Sequence, residues 1–357
     1  MPDASEDAVP ETRADAPRGR APSIRDVARL AGVSHQTVSR VLNDHPSLRP
    51  ETRDRVLQVM EQLQYRPNRA ARALVTSRSR TFGILSASST QYGPASSIAA
   101  IESAARRSGY WVSTANIDSS DPRSIPDGLA HLAAQGIEGL VVIAPQERVF
   151  DTLQELSIDV PYVTLQSTER DPEHGLSVDQ IAGARMATRH LIERGHRSIY
   201  HLAGPQDWIE AEARMRGFLD EMGAQDVPTT APILGDWTAE FGYHAGRELL
   251  SVRDFTAIFS SNDQMALGLM HAVRAEGLDV PGDVSIIGFD DIPEAAHFWP
   301  PLTTVRQDFA EIGRRCVDLL LGAAGHADAR PGGDDEDRPS TIEPELIVRG
   351  SVGPPSF

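Results

Sequence analysis

Apolar positions between residues 23 and 65 recur at the spacing of short helices. Ile24, Val27, Ala28 and Ala31 share one helical face. Gly32 follows as a turn residue. A second face holds Thr37, Val38 and Val41. Pro50 then suits the first position of a third helix, whose buried face is expected at Val56, Leu57, Met60 and Leu63. From Thr81 the pattern changes. Short runs rich in β-branched residues, at 81–86, 110–115, 139–144, 162–166, 198–203, 257–261 and 284–289, alternate with helical segments at 94–107, 180–194, 210–222, 238–250 and 264–276. That alternation predicts an α/β fold with parallel sheets, and so many units predict two doubly wound lobes. A last strand is expected near 345–348.

Residues 1–22 are rich in Pro, Ala and charge without periodicity and read as a disordered tail. The division that follows is a headpiece at 23–67, a linker at 68–79 and a core at 80–357. Within the core, lobe 1 is expected at about 80–164 and 308–340, and lobe 2 at about 165–307 and 341–350. Residues 323–340 read as a loop. The longest apolar runs are too short to span a bilayer, and no basic segment leads into an apolar one at the start. A cytoplasmic protein without membrane contact is expected. The single Cys316 and the scattered histidines offer no disulfide, metal site or cofactor.

Charge separates the parts further. The net charge is −17, yet residues 18–80 carry thirteen arginines against five acids. A basic segment on an acidic body is the asymmetry of a module that meets phosphate. Ser23 and Asp26 have the spacing of a helix-capping box, and Ser34 can cap the second helix. Together with Gly32 these signals describe a helix-turn-helix. The outer face of its second helix carries His35, Gln36, Ser39 and Arg40. Gln can bond an adenine edge and Arg a guanine edge through two atoms. His35, Gln36 and Arg40 are therefore assigned to base reading. Ser34, Thr37, Ser39 and Asn43 are assigned to phosphates.

These residues carry a specific resemblance. Ile24-Arg-Asp-Val-Ala-Arg-Leu-Ala-Gly-Val-Ser-His-Gln-Thr-Val-Ser-Arg-Val-Leu-Asn43, with Thr52-Arg-Asp-Arg-Val56 and Tyr65-Arg-Pro-Asn-Arg-Ala-Ala-Arg-Ala-Leu74, resembles the headpiece and hinge of the LacI/GalR family. The resemblance runs on to about residue 350. It implies a homodimer reading pseudo-palindromic operator DNA, and a two-lobed core like that of periplasmic binding proteins. It makes residues 68–75 a hinge helix that folds on DNA. Asn68 and Arg69 belong to that hinge, Ala71 faces the partner hinge, and Leu74 is the minor-groove wedge.

The core resembles the family in its effector site too. Arg214 before Gly217-Phe218, Asp290 in Gly-Phe-Asp-Asp291, Asn262 in Ser-Asn-Asp263 and Trp237 in Gly-Asp-Trp match effector-binding positions, and Gln307 lies at a crossover between lobes. Guanidinium, carboxylate and indole together suit a polyhydroxylated ligand, which makes the effector a sugar or glycoside. Asp263 and Asp291 are read as helix caps. Successive strand residues point to opposite faces, so Asp290 and Asp291 are no acid–base pair, and no hydrolase or nucleotide-binding motif is present. The expectation is a repressor of a carbohydrate-utilisation operon, released by its effector, and not an enzyme. A purine-type corepressor-dependent regulator, or a sugar-binding protein without a regulatory role, is the alternative.

Overall fold

The computed structural model describes residues 22–42, 48–65, 78–87, 90–118, 121, 123–144, 146, 149, 152, 158–165, 173–323 and 340–356. Two compact units result, Met1–Arg78 and Ser79–Phe357. The expected tail at 1–22, apart from Pro22, lies outside the described residues. So do Asn43 and the hinge residues Asn68, Arg69, Ala71 and Leu74.

The first unit contains α1 (Ile24–Ala31), α2 (His35–Leu42) and α3 (Pro50–Gln62). Ser23 and Asp26 form the capping box at the start of α1, which satisfies two backbone donors that a helix start leaves open. Gly32 ends α1 at φ 64°, a left-handed conformation that favours glycine. Val27, Ala31, Val38, Val41, Val56 and Val59 form the core of this unit, with Ala28 at its edge. The expected face of α3 is half right. Val56 is buried, but Leu57 is exposed and Val59 takes its place. Val56, Val59, Met60 and Leu63 sit at i, i+3, i+4 and i+7, whereas Leu57 lies a further 100° round the helix.

Among the described residues, the second unit holds two six-stranded sheets. Lobe 1 contains β1 (Thr81–Ala87), β2 (Trp111–Ile117), β3 (Gly139–Ile143), β4 (Tyr162–Leu165), β5 (Gly175–Val178) and β11 (Thr341–Ile342), in the order β11-β5-β4-β3-β1-β2. Lobe 2 contains β6 (Ile199–Ala203), β7 (Ile233–Leu234), β8 (Ala257–Ser260), β9 (Ser285–Asp290), β10 (Thr303–Arg306) and β12 (Glu345–Ile347), in the order β12-β10-β9-β8-β6-β7. All pairings are parallel except β10 with β12. Both faces of each sheet are covered. Helices α4 (Tyr92–Arg107), α5 (Ser124–Ala134) and α10 (Phe309–Ala323) pack on lobe 1. Helices α6 (Gln180–Glu193), α7 (Ile209–Ala224), α8 (Ala239–Val252) and α9 (Asp263–Ala275) pack on lobe 2. The runs Leu140–Ile143 and Ile286–Phe289 are therefore apolar without alternation, as strands covered on both faces require.

The lobe boundary lies later than the expected 164/165. A cut at 164/165 would divide β4, and β5 still pairs with β4 in the first sheet. The chain crosses after Val178, returns after Arg306, and crosses a third time between β11 and β12, so residues 341–342 belong to lobe 1. The short strands β5, β7, β10 and β11 leave no readable period. Helix α5 was also hidden, because Pro126 and Gly128 interrupt its pattern. Gly128 lets the helix approach β1: an added Cβ would stand 2.8 Å from Leu85 Cδ1.

Candidate functional site

In α2 the Ser34 hydroxyl accepts from Thr37 N at 3.1 Å and lies 2.9 Å from the Thr37 hydroxyl. Val38 and Val41 anchor the opposite face in the core. His35, Gln36 and Arg40 are exposed, and Ser39 is half-buried. The exposed face thus presents one amide, one imidazole and one guanidinium on a helix whose orientation is fixed by its buried side. Such a face can bond base edges from within a major groove.

A second candidate site lies at the C-terminal ends of the lobe 2 strands, where ligands of open α/β sheets bind. Four buried side chains close a ring there. Arg214, on α7, donates from Nε to Gln180 Oε1 at 2.8 Å. Gln180 donates to Gln307 Oε1 at 2.8 Å, and Gln307 donates to Asp290 Oδ1 at 2.7 Å. The Arg214 Nη2 atom lies 3.4 Å from the same Asp290 oxygen. Arg214 also donates to the Ser261 carbonyl, and its guanidinium covers the Phe289 ring at 3.9 Å. The ring joins the first two crossovers, because Gln180 opens α6 and Gln307 follows β10. Burial pushes the Asp290 carboxyl up to about 6, against the opposing pull of Arg214 and Gln307. Asp290 is held at φ 108°, a costly conformation for a residue with a Cβ.

Around the ring stand aromatic and positioning groups. Trp237 is buried at φ 72°, with its ring laid on Gly204: a Cβ at Gly204 would come within 2.1 Å of Trp237 Cη2. Asn262 donates to the Trp237 carbonyl at 3.0 Å, while its Oδ1 caps α9 by accepting from Met265 N at 2.9 Å. The side chain expected to touch the effector is thus engaged by the fold at both ends. His201 hydrogen-bonds the Phe259 carbonyl through Nδ1, and burial lowers it to about 4, so the imidazole beside Arg214 is neutral.

Asp263 and Asp291 do not cap helices. Asn262 occupies the capping position before α9, which leaves Asp263 free to turn inward. It accepts from Ile292 N at 2.9 Å and Thr304 Oγ1 at 2.6 Å. Asp291 pairs with Arg306 at 2.7 Å and Arg349 at 2.6 Å, tying β9 and β10 to the C-terminal segment. Gln180, His201 and Trp208 carry no sequence signal of their own. Only the position of Gln180 at a crossover, the counterpart of Gln307, could have singled it out.

Comparison with known proteins decides the family. Residues 23–68 match "Bacterial regulatory proteins, lacI family", and residues 188–352 match "Periplasmic binding protein-like domain". The lactose operon repressor of Escherichia coli (strain K12) is 33% identical over 301 residues, 84% of each chain. The chain belongs to the lacI family. Another relative is the HTH-type transcriptional repressor PurR of Haemophilus influenzae (strain PittEE), 34% identical over 92% of this chain and 98% of its own. Among solved structures, a lac repressor dimer bound to operator and the anti-inducer ONPF superimposes with a TM-score of 0.81 at 30% identity, covering 94% of this chain and 100% of the other. A CelR–cellobiose complex gives 0.66 at 30% identity, covering 92% and 99%. This lacI-family member is a DNA-binding transcription regulator and not an enzyme. Among the described residues, no helix is long and apolar enough to cross a membrane.

Proposed function

We propose that this regulator is a cytoplasmic homodimeric repressor of a carbohydrate-utilisation operon, released from a pseudo-palindromic operator when a sugar or oligosaccharide binds between its lobes. The buried ring of Arg214, Gln180, Gln307 and Asp290 carries the reading. It holds an ionic pair and two amides on the ligand-binding ends of the strands, with Trp237 5.6 Å from the guanidinium. Hydroxyl groups both donate and accept, so they can exchange into such a ring without leaving a charge unpaired. Neighbours that bind cellobiose or operator DNA support the same reading.

Effector occupancy and DNA binding are then coupled through the lobes, by about 1–3 kcal/mol per coupled site. Asn68, Arg69, Ala71 and Leu74 serve as the hinge, and Asn43 with Ser34, Thr37 and Ser39 as phosphate contacts, alongside base reading by His35, Gln36 and Arg40. The test is a thermal-shift screen of mono- and disaccharides and purines. A sugar is expected to raise the melting temperature of the second unit. A shift with a purine alone would replace this reading with a corepressor. Arg40→Ala should cost about 1–3 kcal/mol on the selected site and relax one base position. Unchanged base preference in a binding-site selection would remove Arg40 from readout.

A further inference from the structure

Trp208 stands where the lobes touch. It precedes α7 in lobe 2, and its backbone forms an antiparallel bridge with Gln146 of lobe 1. Its indole is 8% exposed and packs edge to face against Trp237, with ring centroids 5.4 Å apart and planes at 66°. Two indoles set across one another make a corner, and the corner adjoins the Arg214–Asp290 ring through Trp237. The site therefore grades from charged groups to an indole beside the guanidinium, and then to a second indole at the lobe contact.

The corner is incomplete in one respect. Trp237 is 6% exposed, yet among the described residues its Nε1–H has no acceptor. A buried donor without a partner costs free energy, and at a ligand site it marks where an acceptor atom of the ligand belongs. The Trp237 backbone is held in a left-handed conformation, with its carbonyl gripped by Asn262, so the donor is fixed in direction. Carbohydrates present apolar ring faces that pack on indoles, together with oxygens that accept hydrogen bonds. The hydroxyls of one sugar ring suffice for the charged groups, and such a ring has no need of Trp208.

The geometry points to Trp208 as a specificity-determining residue that selects a disaccharide over a monosaccharide. The first sugar ring bonds Arg214 and Asp290. The second lies in the corner, its face against Trp208 and one oxygen accepting from Trp237 Nε1. This inference rests on the sugar reading proposed above for the same pocket. The bridge to Gln146 gives the second ring a further consequence, since a ligand seated on Trp208 bears directly on the segment that meets lobe 1.

Calorimetric titration of the full chain with cellobiose, lactose and maltose, and with glucose and galactose, tests it. One disaccharide is expected to bind at least about tenfold more tightly than its constituent monosaccharides. Trp208→Ala is expected to erase that preference while leaving monosaccharide affinity within about twofold. Trp208→Phe keeps a ring in the corner and is expected to retain part of the preference. It decides the matter if the alanine variant does not fold. Equal binding of mono- and disaccharides, or an equal loss of both in either variant, overturns the role of Trp208 and leaves the sugar reading standing. Binding of no saccharide removes the sugar reading itself.

Discussion

Replacing Arg214 with alanine is expected to abolish the response to sugar and to destabilise the core by about 3–5 kcal/mol at pH 8, because it strands a buried carboxylate. Arg214 is 3% exposed, and its removal leaves Asp290, Gln180 and the Ser261 carbonyl short of a donor. The loss depends on pH in a defined direction. Asp290 already titrates at about 6, above the ordinary carboxylate range, since burial outweighs the pull of Arg214. Without Arg214 the carboxyl rises further. The folded variant then takes up a proton that the unfolded chain does not hold, so its stability increases as pH falls through that raised value. The deficit relative to the parent should be largest at pH 8 and shrink toward pH 5. Chemical denaturation at both values measures it. A deficit that is equal at both, or larger at pH 5, would show that Asp290 is not the stranded group. Operator affinity of the folded fraction should survive, because Arg214 belongs to the second unit.

Replacing Val38 with aspartate should have the opposite profile. Val38 is fully buried among Val27, Ala31, Val41, Val56 and Val59, in a cluster of seven buried residues among those described. A carboxylate placed there has no partner, and a unit this small has little stability in reserve. About 3–4 kcal/mol of destabilisation is enough to unfold it. Sequence-specific DNA binding should vanish, while the melting transition of the second unit and its sugar response persist. Gel-shift and thermal-shift assays on one preparation separate the two. Retained specific binding would mean that the face of α2 does not depend on this core.

The two variants probe parts of the chain that differ in how well the sequence displayed them. The headpiece was legible because local chemistry determines it. The Ser23–Asp26 box, Gly32 at φ 64° and Pro50 each fix a helix end within a few residues. The error at Leu57 came from accepting every apolar residue onto one face, where a 3.6-residue period admits Val59 instead. The long strands were legible by their β-branched runs. The lobe boundary was not, because β5 and β11 join sheet 1 only through pairings remote in sequence. The same limit governs the candidate site. Motif positions gave Arg214, Asp290 and Gln307, but Gln180 enters only when α6 is packed beside β10. Trp208 carries no motif, and only the fold brings it to Gln146 and Trp237. Asp263 and Asp291 looked like caps because the sequence shows a helix start but not which neighbour faces it.

The most direct test is the operator affinity of the full chain with and without its sugar. A binding site selected from random DNA supplies the operator, and the thermal-shift screen supplies the ligand. Saturating sugar is predicted to weaken binding by at least about fivefold, the lower bound for one coupled site. Unchanged affinity, or tighter binding in the presence of the sugar, would contradict the account.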